Sequence, residues 1–204
     1  MRLIRVRGID VCTPDHVEPA PGEELSHYAL RVAELNGIRA SDVVGGVSFG
    51  GMIAAEIARQ RTVAGLILLG SCVRPERLPW SYRWIERLGK FIPDSLLGFR
   101  SFRPLVRWRF APVTAEAERC LMAMAATCPT SQIRGFGRMA IKWSGVERFS
   151  CPVLSVHGDR DRIIPARCAE PGLILQNAGH AFTLTHAEHT IAAIQEFLNL
   201  RVAA

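Results

Sequence analysis

The chain reads as a doubly wound α/β protein on a mostly parallel sheet, with a helical insertion over one end of that sheet. Three observations predict this. Four short, continuous apolar runs have the length of strands covered on both faces: "DVVGGVS" (42–48), "VAGLILLGSC" (63–72), "CPVLSVHGD" (151–159) and "GLILQNAGH" (172–180). Amphipathic helical patterns alternate with them. Between residues 73 and 145 the alternation stops and helical patterns with no strong strand replace it. The expected layout is therefore a core of residues 1–72 and 146–204, interrupted by a helical cap at 73–145.

Taken in order, Pro-Gly-Glu-Glu at 21 to 24 opens a helix. Leu25, Tyr28, Ala29, Val32 and Leu35 then fall at helical spacing, and Asn36-Gly37 closes it. The run at 42–48 is a buried strand. Met52, Ile53, Ile57 and Ala58 form the inner face of the next helix, and Gly51 lets that helix approach its neighbours. The strand at 63–72 leads into the insertion. That segment holds all four tryptophans, Trp80, Trp84, Trp108 and Trp143, and is punctuated by Pro79, Pro93, Pro104, Pro112 and Pro129. The strands at 151–159 and 172–180 resume the sheet, and "TIAAIQEFLNL" (190–200) is an amphipathic closing helix.

Composition narrows the class. The chain has 204 residues, 49% apolar and 22% charged, the profile of one globular domain with a real core. No apolar run is long enough to span a bilayer, and "MRLIRVRGID" lacks the apolar region of a secretory signal. The six cysteines (Cys12, Cys72, Cys120, Cys128, Cys151 and Cys168) form no C-x-x-C pair, which fits free thiols in a reducing cytoplasm. Residues 73–145 carry 13 Lys or Arg against 5 Asp or Glu, about +8, within a net charge of +6. This excess fits either an acidic partner or substrate at the cap, or a solvated helical face whose long side chains cover apolar surface. No zinc spacing, recognition helix or aromatic platform points to nucleic acid.

The chemistry begins at Gly46-Val47-Ser48-Phe49-Gly50, a G-x-S-x-G frame joining a strand to a helix. Glycines flank the serine because side chains there would collide in the sharp turn, which lifts the hydroxyl above the sheet. The helix start beyond it offers free N–H groups to developing negative charge. A serine hydroxyl needs a base, and the base an orienting acid. His180, in "NAGHAF" after the last strand, is the candidate base. "SVHGDRDRIIP" supplies two candidate acids after the third strand. Asp161 lies further into the loop, and Asp159 could instead pin the turn with an Asx-type hydrogen bond. Ser48, Asp161 and His180 each come directly after a strand, at the sheet end where ligands bind in parallel α/β folds. His186-Ala-Glu-His189 has metal-ligand spacing but opens the last helix, with Glu188 suited to its dipole and no third ligand, so no metal is expected. Met122, Met124 and Met139 read as packing in the cap.

On these residues the chain resembles the α/β-hydrolase superfamily from about residue 8 to the C-terminus. The matching pieces are "GVSFGGMIAAEIA", "HGDRDRIIP" and "NAGHAF". The second is similar to the family's H-G-x-x-D-x-x-x-P acid loop, which implies Asp161 rather than Asp159. The third implies His180 as base, and the insertion resembles the family's cap over the acyl pocket. The resemblance implies a cofactor-free serine hydrolase acting on a small carboxylic ester or thioester. The Phe49 backbone N–H would serve as one oxyanion donor. An acyltransferase, lyase or haloperoxidase on the same scaffold, and a non-catalytic binding protein, are the alternatives. The departure lies at the front. The family's first strands and His-Gly loop, source of the second oxyanion donor, have no counterpart here. "RGIDVCTPDHVEPAPGE" already resembles the family's next strand and loop. A start codon placed too late is the expectation, a genuinely shortened member the competitor.

Overall fold

The computed structural model describes residues 10–14, 17–78, 103–127, 129–170 and 172–202. The opening "MRLIRVR", His16, Pro79, Trp80, Trp84, Pro93 and Cys128 lie outside the described residues. Helix α1 spans Leu25–Leu35. Its inner stripe is Leu25, Tyr28, Ala29 and Ala33. Leu35, expected on that stripe, is 65% exposed. It is the last residue of α1, beyond Ala33, where the buried stripe ends.

Strand β1 (Val43–Val47) runs into helix α2 (Phe49–Gln60), and β2 (Gly65–Leu69) comes next. After the insertion come β3 (Val153–Gly158) and β4 (Leu173–Leu175). All pair in parallel in the order β1-β2-β3-β4. Each is shorter than the apolar run that announced it, because the ends of those runs are spent on turns. In the last run Asn177 takes a positive φ of 57°, so the chain leaves the sheet well before His180.

The double winding is visible along β2. Leu66 and Leu68 join the apolar cluster of α1 and α2. Ile67 and Leu69 point the other way, toward Ile194, Phe197 and Leu198. These last belong to the closing helix. All four β2 side chains are buried, and each contributes about 1.5–3 kcal/mol through removal from water. Alternation of faces along a fully apolar strand is what a two-sided covering requires.

Between β2 and β3 the described residues form three α-helices: α3 (Arg103–Phe110), α4 (Ala115–Thr127) and α5 (Thr130–Lys142). Two helices close the chain, the short α6 (Phe182–Thr185) and the longer α7 (Ala187–Val202). Helix α5 packs onto the α1–α2 cluster through Met139 and, just beyond it, Trp143. The Trp143 indole N–H donates to Glu56 on α2 at 2.8 Å, and Glu56 also receives Gln60 and Arg59. A buried carboxylate is tolerated only with such partners. The two ends of the segment between β2 and β3 also meet, the Val146 N–H donating to the Val73 carbonyl at 2.8 Å. No helix among the described residues is long and apolar enough to cross a membrane.

Candidate active site

The parallel order brings every β-strand carboxyl end to one edge of the sheet, and the three predicted loops meet there. Ser48 is the single residue between β1 and α2. It takes φ 55° and ψ −119°, a conformation that L-residues seldom occupy. Its N–H still bonds the Leu69 carbonyl at 2.9 Å, so the strain is held by the end of the sheet. A Cβ on Gly46 would fall on the backbone of Gly50, so no other residue fits position 46. The second glycine of the frame is different. A Cβ on Gly50 meets nothing within 4 Å, because the first turn of α2 aims it into open space. The expectation that both glycines avoid collision holds for Gly46 only.

The Ser48 hydroxyl lies 3.0 Å from His180 Nε2, and His180 Nδ1 lies 2.6 Å from Asp161 Oδ2. A carboxylate only accepts, so Nδ1 carries the proton and Nε2 is left to accept from the serine O–H. Asp161 is 5% exposed. Its Oδ1 accepts the N–H groups of Ile163 and Ile164, both at 2.8 Å. Burial pushes the Asp161 carboxyl up. The hydrogen bonds from His157 and His180, with the charge of His180 and the Ile164 N–H, outweigh it and hold the group at about 2. Asp159, the other candidate acid, accepts from the Ala178 N–H at 3.0 Å and ties the acid loop to the base loop. The Asx-type bonding anticipated for Asp159 is made by Asp161, whose two oxygens divide between turn and imidazole.

Phe49 opens α2, so its N–H has no intrahelical acceptor. Its ring lies 4.9 Å from Phe136 of α5, which in turn meets Tyr28 edge-on. The Phe49 side chain thereby packs on α5, and Phe136 links it to α1. His186 and His189 have ring centroids 6.4 Å apart, and His186 Nδ1 is bonded to the Thr185 hydroxyl. Among the described residues no group of three His, Cys, Asp or Glu could hold a metal ion.

Three residues at the site escaped the sequence reading. Gly70 follows β2 at φ 55°, where a Cβ would crowd Phe182 at 3.0 Å and reach contact with His180 and Asp161; a lone glycine closing an apolar run was its only sequence signal. Phe110 sets its ring edge-on to His180 at 5.7 Å, a contact across 70 residues that leaves no local pattern. His157, placed by the sequence in the third strand and in the "HGDRDRIIP" match without a role, is buried beside Asp161.

A family model described as the alpha/beta hydrolase family matches residues 9–194. Among solved structures, a thermophilic esterase from Thermogutta terrifontis aligns with a TM-score of 0.63 at 22% identity, covering 89% of this chain and 75% of its own. A meta-cleavage product hydrolase from Pseudomonas fluorescens gives 0.63 at 16%, with 91% and 75% covered. A bacterial membrane phospholipase A gives 0.65 at 21%, with 90% and 66% covered. No curated protein matches the chain. At such identities the structural likeness is one of fold. The family model, which spans nearly the whole chain and contains all three loops, carries the assignment: this chain belongs to the α/β-hydrolase family.

Proposed function

We propose that the chain is a serine hydrolase that cleaves a carboxylic ester or thioester through an acyl-enzyme. The observation that carries this reading is the unbroken line Ser48 Oγ, His180 Nε2, His180 Nδ1, Asp161 Oδ2, with links of 3.0 and 2.6 Å. In the proposed reaction Ser48 Oγ attacks the substrate carbonyl while His180 Nε2 takes the hydroxyl proton. His180 returns that proton to the leaving alkoxide or thiolate. A water, deprotonated by His180, then attacks the acyl-enzyme; the bond from the acyl carbon to Ser48 Oγ breaks, His180 returns the proton to Oγ, and the acid leaves. Asp161 stabilises the imidazolium and keeps Nε2 turned toward the serine. The Phe49 N–H donates to the oxyanion, aided by the positive end of α2. Residues 73–145 form the cap over this site, a reading supported by the Val73–Val146 bond that closes the insertion on itself.

A fluorophosphonate probe tests this. It is expected to label the native chain covalently at Ser48 and to leave Ser48→Ala unlabelled. Hydrolysis of short nitrophenyl esters and acyl thioesters should fall in parallel to the background rate. Equal labelling of both chains removes Ser48 as nucleophile. Absence of labelling in both favours a non-catalytic hydrolase-fold binding protein.

A further inference from the structure

The two sides of the candidate site differ in cover. On the nucleophile side, Ser48, Phe49 and Gly50 are partly exposed and Val47 is 41% exposed. On the base side, His180 is only 6% exposed. The carboxyl end of α3 contributes to that cover. The Phe110 and Ala111 carbonyls lie over Gly179, and the Phe110 ring stands edge-on to the His180 ring with centroids 5.7 Å apart. Both ring nitrogens of His180 are engaged, Nδ1 by Asp161 and Nε2 by Ser48. Phe110 therefore meets a face or a carbon edge of the imidazole, and Nε2 stays available for proton transfer. Phe110 is itself not fully buried, so part of it is open to a bound group.

Resting on the triad reading above, we propose that Phe110 is a specificity-determining residue and that the substrate is an ester or thioester of an aryl alcohol or thiol, whose flat leaving group packs on the Phe110 ring. In acyl transfer the acyl carbon meets Ser48, and the leaving oxygen or sulfur is the substrate atom that must reach Nε2. That atom takes the Nε2 proton as its bond to the acyl carbon breaks, which requires an approach to within about 3 Å of Nε2. A ring bonded to it then comes into the range of aromatic pairs with Phe110, about 4.5–7 Å between centroids. The α3 carbonyls already sit too close to Gly179 to admit a Cβ there. The cover is tight, and a flat group enters it with the least displacement of α3.

The test compares phenyl acetate and trifluoroethyl acetate on the native chain and on Phe110→Ala. Both esters give the same acetyl-enzyme, so kcat/KM reports the step in which the leaving group departs. The ratio of native to variant for each ester cancels its intrinsic reactivity. Phe110→Ala should lower kcat/KM for the phenyl ester about 2- to 10-fold more than for the trifluoroethyl ester, the range for one aromatic pair. An equal loss for the two esters overturns the proposal, because a ring that only steadies the imidazole acts on every leaving group alike. A second measurement uses the unaltered protein and stands independently of how the variant folds. Phenol should inhibit hydrolysis of trifluoroethyl acetate at a lower concentration than cyclohexanol, which is similar in size but not flat. Equal inhibition by the two also overturns the proposal. Fluorophosphonate labelling of the native chain separates the two levels. Failure to label strikes the triad reading, whereas labelling with equal losses strikes only the role of Phe110.

Discussion

At the residue scale, the strained Ser48 backbone sets what its neighbours can be. A non-glycine residue at positive φ persists only where the surroundings over-determine it. Here they are the Leu69 carbonyl, the start of α2 and the packed face of Gly46. Gly46→Ala should cost at least about 2 kcal/mol, because its Cβ would meet backbone that cannot yield without opening the turn. Gly50→Ala should be neutral or stabilising by up to about 1 kcal/mol, since it adds a helix former where nothing is in the way. Urea denaturation of both variants decides the matter, and a Gly46→Ala chain as stable as the native one would contradict the packing at this turn. This difference was not legible in the sequence. The G-x-S-x-G pattern marks the turn and the hydroxyl it presents, but its two glycines look alike on paper. Only the direction of each missing Cβ separates them.

At the element scale, the carboxyl end of α3 acts as a clasp on two loops at once. The Phe110 and Ala111 carbonyls lie over Gly179, the Phe110 ring stands against His180, and Arg162 donates to the Trp108 carbonyl at 2.9 Å. The Arg162 guanidinium also lies 5.1 Å from the Trp108 ring centroid. A cation at a helix C-terminus satisfies a terminal carbonyl and meets the negative end of the dipole. One helix thus presses on the residue beside Asp161 and on His180 itself. Phe110→Ala should lower kcat by about 2- to 10-fold, the range for one aromatic pair, with Phe110→Tyr close to native. Steady-state kinetics on an activated ester would expose the contrast; equal kcat in all three chains would show that the ring does not restrain the imidazole. The core elements were legible because their signals are local: apolar continuity for the strands, periodicity for α1 and α2, glycine and proline at the ends. The clasp was not. It joins residues 108 and 110 to residues 162 and 180, and nothing within either segment encodes its partner.

At the scale of the whole molecule, the acid loop couples the site to folding. The sheet brings three loops together, and Asp161 lies where they converge, receiving Ile163, Ile164 and His180 and facing His157. The His180 bond needs the loops after β3 and β4 brought together, and the two amide bonds need the turn after β3 fixed, so folding supplies all three. The Asp161 carboxyl is therefore held at about 2 in the fold, against roughly 4 for an unfolded aspartate. A depressed carboxyl binds its proton less readily when folded, so its stabilisation is fully present above about pH 4. It is lost as pH falls from there through about 2. Its size is on the order of 2 kcal/mol at neutral pH, shared with the histidines that supply it. Asp161→Asn removes the titrating group while keeping its shape. The native chain should be the more stable of the two at pH 7, and the gap should close between about pH 4 and pH 2. Chemical denaturation across that interval measures the gap directly. A gap that stays constant down to pH 2 would mean that ionisation of Asp161 adds nothing to folding, and that the loops converge without help from its charge.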